Sequence, residues 1–329
     1  MIYSTDKRST SKTSRSRNSE TSPTSHGGAK RPRILVWLAG LGGAVLIAAG
    51  AFFVFGGEVP TVGNRTGIDR GEIETLWDRR EFFELIRLTD DLLAADPLDV
   101  DALIFRGLAG YYGAASDIDL ENRDELIRDS IRYLRRARTL SGERLSAEIH
   151  FVLGLAYYEQ GRHFADLAVD HLNQAVELGV DNASVYEFLG LSYERLYDRD
   201  RAINNLLLAA DRAPRDISFL AVAERLVENN QASEALPHLH RVISESDEPR
   251  LVHQARFILG QIELSEARYE QAEEQFQAVL QDDPNSADAH FYLGELFDAM
   301  GDGVRARAQW RNALQIDSGH AAALRRLDS

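Results

Sequence analysis

No cysteine occurs anywhere in the 329 residues, which excludes a disulfide framework, a thiolate metal site and a cysteine nucleophile together. Proline and glycine are scarce, at 8 and 24 residues. The richness in alanine, leucine, glutamate and arginine favours helix over strand. Catalytic constellations are missing as well. The nine histidines form no zinc-protease helix motif; His238 and His240 stand two apart, so a helix points them to different faces, and His163 and His171 flank an irregular turn. Acidic pairs such as Asp282-Asp283 and Glu273-Glu274 fall on helix ends or solvent faces and read as solubility, not as general acid and base. No enzyme activity, cofactor or metal is therefore expected.

Basic residues are also sparse outside one segment. The formal charge is −15, yet residues 1–33 carry Lys7, Arg8, Lys12, Arg15, Arg17, Lys30, Arg31 and Arg33 against only Asp6 and Glu20. That tail is +6, which leaves the remainder at −21. An acidic body repels a phosphate backbone, and no basic stripe is evident beyond the tail, so no nucleic-acid partner is expected.

The tail is dominated by Ser, Thr, Arg, Lys and Gly and cannot bury enough apolar surface to offset ordering, so 1–33 is predicted to be disordered. Residues 34–55, ILVWLAGLGGAVLIAAGAFFVF, form an uncharged apolar run of 22 residues, which suits the roughly 20 a helix needs to cross a bilayer core. A cleaved signal has a shorter apolar region, and the run is read as an uncleaved transmembrane helix anchoring the chain in the lipid bilayer. Its Gly40 to Gly43 stretch, GLGG, lies inside that run and is no phosphate loop. Lys30, Arg31 and Arg33, with Arg15 and Arg17 behind them, face only Arg65 and Arg70 beyond the run. The positive-inside bias puts the N-terminus in the cytoplasm and the body outside it, periplasmic in a bacterium with two membranes. Gly40, Ala44 and Ala48 recur every fourth residue and would form a flat stripe suited to a homodimer through the membrane helix. Residues 56–65 read as a flexible linker.

From about Thr66 apolar residues recur at helical spacing, and the helices recur at a period close to 34. The clearest unit holds Leu189-Gly190, Tyr193, Ala202, Leu206, Ala209 and Pro214. Leu153-Gly154, Tyr157, Ala168, Leu172 and Ala175 mark another; Leu259-Gly260, Ala272, Phe276 and Pro284 a third; Leu293-Gly294, Phe297, Ala306, Trp310 and Ala313 a fourth. Glycine and alanine let two helices approach closely, larger residues fill the gaps and proline stops the second helix. This pattern resembles the tetratricopeptide repeat. Units are placed at 66–99, 100–146, 147–182, 183–216, 217–252, 253–286 and 287–320, with 321–329 as a short C-terminal cap. In the fifth, Val222-Ala223 replaces Leu-Gly, and Pro237 inside the second helix predicts an irregularity. The second is lengthened by an insertion between Tyr112 and Glu125.

The resemblance implies an all-α, superhelical α-solenoid of helix-turn-helix units, preceded by the one transmembrane helix. It also implies a concave groove lined by the first helix of every unit. The positions facing it are Ile104, Leu108, Tyr111, Phe151, Leu155, Tyr158, Glu187, Leu191, Glu194, Phe257, Phe291 and Glu295, with Arg195 and Gln261 beside them. The family's carboxylate clamp is not matched, since the corresponding positions are apolar or acidic. Acidic and aromatic lining together point to a protein or peptide ligand of basic and apolar character. Three roles stay open: a scaffold for complex assembly in the cell envelope, an accessory subunit of an envelope enzyme or membrane assembly machine, and a cytoplasmic-facing adaptor.

Overall fold

The computed structural model describes residues 71–116, 121–142 and 145–328. The basic tail, the apolar run with Gly40, Ala44 and Ala48, and the linker lie outside the described residues. Among those that are described, no helix is long and apolar enough to cross a membrane.

The described residues form fifteen α-helices and no strand. They are α1 (Gly71–Asp78), α2 (Phe82–Ala95), α3 (Val100–Ser116), α4 (Arg123–Ser141), α5 (Ser146–Glu159), α6 (Ala165–Glu177), α7 (Ala183–Arg195) and α8 (Arg199–Arg212). After them come α9 (Asp216–Glu228), α10 (Ala232–Glu245), α11 (Pro249–Ser265), α12 (Tyr269–Asp282), α13 (Ala287–Ala299), α14 (Gly303–Ile316) and α15 (Ala321–Leu327). A short 3-10 turn at Arg162–Phe164 precedes α6. Each odd-numbered helix up to α13 pairs with the next to make an antiparallel hairpin, and neighbouring hairpins stack in sequence order. The result is a helical repeat solenoid.

One turn recurs between the two helices of a hairpin. Arg80, Gly161, Tyr197, Asn230, Ala267 and Gly301 all have positive φ, from 58° to 96°. Five of these turns close the first helix with an i to i−5 bond, as in Asp198 N–H to Tyr193 O and Asp302 N–H to Phe297 O. That is the Schellman ending, in which a left-handed residue lets the last carbonyls find donors. Glycine fits at Gly161 and Gly301, whereas Tyr197 and Ala267 hold the same conformation against their Cβ. The second helices are started by side-chain caps where the sequence permits: Asp198 and Asp302 accept from Arg201 N–H and Arg305 N–H.

The hairpins close through the glycines. A Cβ on Gly154 would stand 2.5 Å from Leu172 Cγ, and one on Gly260 or Gly294 would fall within the rings of Phe276 or Trp310. The first helix thus presents a notch and the second fills it with its largest side chain. Buried Arg106 ties the first two hairpins together, donating to Asp90 on α2 at 2.7 Å while its guanidinium lies 4.8 Å from the Tyr133 ring centroid on α4. Among the described residues the apolar core falls into three clusters, from Ile73 to Ala209, from Ile203 to Ile262 and from Ala272 to Ala323.

One local expectation changes. Pro237 does not interrupt α10, which runs continuously from Ala232 to Glu245; the proline lacks one amide donor early in the helix, and the flanking apolar positions Ala235, Leu239 and Val242 still bury completely. The insertion after Tyr112 continues α3 to Ser116 and starts α4 at Arg123, so it mainly lengthens the second hairpin's helices. The cap α15 buries Ala323 against the last hairpin and starts with His320, whose ring accepts from Ala323 N–H.

Candidate protein-binding face

The first helices α3, α5, α7, α9, α11 and α13 supply the candidate face, and it changes character along the array. In the N-terminal hairpins, Ile104, Leu108, Tyr111, Phe151 and Leu155 are 0–2% exposed and belong to the largest core cluster. They offer no surface to a ligand in this conformation. From Tyr158 onward the face opens: Tyr158, Glu187, Leu191, Glu194, Phe257, Phe291 and Glu295 are all half-buried.

Tyr158 is covered by an arginine of the next hairpin. The Arg195 guanidinium lies 3.5 Å from its ring centroid and also donates to the Tyr158 carbonyl, while Phe188 meets the ring edge-on at 5.0 Å. The same next-hairpin arrangement disposes of the acidic positions. Glu187 pairs with Arg215 at 3.4 Å, Glu194 with Arg225 at 2.5 Å and Glu295 with Arg326. Asp288 meets His320 at 3.1 Å in the same way. The carboxylates are thus committed to neighbouring units, and a basic partner has to compete for them. Burial pushes the carboxyls of Glu187, Glu224 and Glu295 above their ordinary range despite these arginines. Arg326 is raised as well, held charged chiefly by its bond to Glu295. Glu295 is the more buried partner, so its desolvation sets the behaviour of the pair.

Two features remain open. A cleft of about 290 Å³ opens between α7, α8 and α9, with Glu194, Tyr197, Arg199, Arg225 and Glu228 in its lining and the Glu194–Arg225 pair across it. Further along, Phe257 and Phe291 flank Tyr292 at ring-centroid distances of 5.2 and 5.4 Å, Tyr292 stacks on Phe276 at 5.4 Å, and Phe291 stands 5.1 Å from His320. Tyr292 is the centre of this cluster, and burial pushes its hydroxyl up to about 12. Sequence reasoning picked Phe291 and passed over Tyr292; the signal was the FY pair itself, because adjacent helical residues point about 100° apart and both can meet the preceding unit.

Histidines gather no ligand set. His150 and His171 stand 3.1 Å apart at their Nδ1 atoms, but no group of three or more metal-ligating side chains occurs among the described residues. Burial lowers both imidazoles, that of His171 to about 4, with His150, Arg138 and Arg135 adding to the effect.

A tetratricopeptide repeat family model matches residues 117–167 and 264–322. No curated protein matches the chain. Among solved structures, the chain is 24% identical to MamA over 54% of its own length and 94% of that chain, with a TM-score of 0.43. It is 18% identical to YrrB, described as a TPR protein with an unusual peptide-binding site, over 73% of this chain and 98% of that one, at a TM-score of 0.35. A tetratricopeptide repeat protein from Parabacteroides merdae is 15% identical over 64% of this chain and 79% of that one, at 0.47. The two matched stretches fall on hairpins built with the same notch and filler as the rest of the array, and over 117–167 and 264–322 the helical solenoid is similar to tetratricopeptide repeats.

Proposed function

We propose that the chain is a membrane-anchored scaffold that holds a protein partner in the cell envelope, with the bilayer crossed by 34–55 and the repeat body outside the cytoplasm. Repeats of this family generally mediate protein–protein interaction. The observation that carries the binding reading is the half-exposed aromatic cluster Phe257, Phe291 and Tyr292 on α11 and α13. Aromatic anchors beside a partly desolvated surface supply most of the affinity at such faces, and charges around them set partner choice. With Glu187, Glu194 and Glu295 already paired, the partner's apolar residues matter more than its basic ones.

The test uses the full chain, solubilised from its native membrane and captured with whatever it holds. Phe257→Ala combined with Phe291→Ala is expected to release the copurifying partner while the circular dichroism melt moves little. Undiminished recovery with an unchanged melt would remove the binding face from α11 and α13. Topology is read by a favourable accident of composition. All three lysines, Lys7, Lys12 and Lys30, precede the apolar run, so a membrane-impermeant amine reagent should leave intact cells unlabelled and label the chain after lysis. Labelling of intact cells would reverse the orientation. Self-association through Gly40, Ala44 and Ala48 is read in a membrane two-hybrid assay, where Gly40→Ile with Ala44→Ile should lower the signal.

A further inference from the structure

The array is acidic as a whole, yet α4 presents a bare basic surface. Arg128, Arg135, Arg136 and Arg138 are exposed, and none of them makes an ion pair among the described residues; exposed Arg132 is held by Asp129 at 3.0 Å. The arrangement follows from the helical repeat. At about 100° per residue, Arg128, Arg132 and Arg135 share one line along the helix, with Arg136 and Arg138 on either side of it. The opposite side carries Leu126, Ser130, Leu134 and Ala137, all buried. The basic face is about 15 Å long at the α-helical rise. Leu140, 43% exposed, stands at its C-terminal end.

Many arginines elsewhere are held against carboxylates, as in the pairs of Arg87 with Glu84, Arg212 with Asp181, Arg241 with Glu245 and Arg305 with Asp302, and other exposed arginines without an ion pair among the described residues, Arg79, Arg199, Arg307, Arg311 and Arg325, are spread along the array. On α4 like charges sit three and four residues apart, which weakens a helix instead of supporting it. No carboxylate among the described residues is paired with Arg128, Arg135, Arg136 or Arg138, which leaves these side chains open to an external anion.

We propose that the arginine face of α4 rests on an anionic lipid surface and so sets how the repeat body sits against the bilayer. This rests on the anchored reading above: 15 residues separate Phe55 from Gly71, and a chain of that length spans at most about 50 Å when fully extended. The second hairpin, next to the tethered one, is thereby kept within reach of the membrane. Arginine suits phosphate headgroups because its planar guanidinium donates two parallel bonds and sheds water readily. Leu140 supplies an apolar side chain that can enter the headgroup layer beside them. A flat anionic sheet meets only the face turned toward it, whereas a nucleic acid longer than the 15 Å stripe would run on over acidic surface, where it is repelled.

The absence of native cysteine makes the test clean. Leu140→Cys in the full chain takes an environment-sensitive fluorophore, and the protein is placed in bilayer discs of phosphatidylcholine alone or with phosphatidylglycerol. The label should shift to the blue and be quenched by headgroup-labelled lipid only in the anionic discs, and 0.5 M salt should reverse both effects. Arg135→Gln with Arg138→Gln should lower the surface-bound fraction by about fivefold for each arginine removed, with an unchanged thermal melt. Equal signals in both lipids, or no change in the double variant, would overturn the proposal. So would displacement of the label by a short DNA duplex or an acidic peptide at concentrations where anionic vesicles do nothing. Extraction of native membranes at alkaline pH reads the anchor separately. A chain that is extracted, but whose label still responds to anionic lipid, keeps the α4 surface and loses the anchor; a chain that resists extraction with a silent label does the reverse.

Discussion

Adding one methyl group at Gly154 isolates the contact that defines each hairpin. An ideal Cβ there stands 2.5 Å from Leu172 Cγ, 2.8 Å from Leu172 Cδ2 and 3.2 Å from the Leu172 amide nitrogen. Leu172 is fully buried and cannot swing away, and the short distance to its backbone means that α5 and α6 must separate. Overpacking of this kind costs about 1–3 kcal/mol, while alanine regains up to about 1 kcal/mol of helix propensity over glycine. Gly154→Ala is therefore expected to destabilise by about 1–2 kcal/mol. Gly303 provides the opposite sign: the nearest atom to its Cβ is the flexible Arg307 guanidinium at 3.7 Å, so Gly303→Ala should be neutral or slightly stabilising. Urea unfolding followed by circular dichroism reads both as shifts of midpoint at constant slope. Shortening the filler supplies the cross-check. Leu172→Ala alone costs about 2–5 kcal/mol, and combining it with Gly154→Ala should cost clearly less than the sum, because the second change makes room for the first. If Gly154→Ala proves as harmless as Gly303→Ala, or the double variant is simply additive, the close-approach account of these hairpins is wrong.

Relieving the left-handed residue in the α11–α12 turn by Ala267→Gly should raise stability by about 0.5–1 kcal/mol, since the strain removed exceeds the added freedom of the unfolded chain; a lower urea midpoint would refute it. Asn182 accepts from Val185 N–H at 3.0 Å at the start of α7, so Asn182→Ala should cost about 1 kcal/mol in the same assay. His171 prefers to be neutral in the fold, with its pKa lowered to about 4 by burial first and by its charged neighbours next. Its contribution is complete above about pH 6.5 and is lost as pH falls toward 4; about 2 kcal/mol should go between pH 7.5 and 5, and His171→Phe should flatten that slope. Arg225 bridges Glu194 at 2.5 Å and Glu224 at 3.4 Å. Arg225→Met strands two half-buried carboxylates and should lower the urea midpoint; an unchanged midpoint would refute it.

The hairpins were legible because their causes are local. Leu153-Gly154 with Leu172, and Leu293-Gly294 with Trp310, are spaced by the geometry of a helix, a short turn and a helix, so the same pattern recurs wherever the notch and filler recur. The face was less legible because it depends on neighbouring units. Ile104 and Phe151 occupy the same helical positions as Phe291, yet two are fully buried and one is half-open. The acidic positions hid a regularity of their own: Glu194 with Arg225, and Glu295 with Arg326, pair at a separation of 31, one repeat less about one helical turn. A search at that spacing would have shown that these charges are spoken for. The α4 arginines escaped notice for the opposite reason. The intervening Asp124, Glu125 and Asp129 make the segment look balanced in one dimension, and only the helical wheel separates the cations from the core-facing positions.

The division of the core has a mechanical meaning. Ile262 near the end of α11 belongs to the middle cluster, while Ala272 and Phe276 on α12 belong to the last. The seam runs through a hairpin instead of between two, so α11 is shared property of both halves. Hairpins joined end to end carry a pulling force in series, and the load on the weakest junction equals the load on every other. Tension drawn between the start of the array and a partner gripped on α11 and α13 would load this seam together with the one in α8, where Ala209 belongs to the first cluster and Ile203 to the middle one. Phe257, carried on α11, packs with Tyr292 against the last cluster, so parting α11 from α12 would also part the two rings.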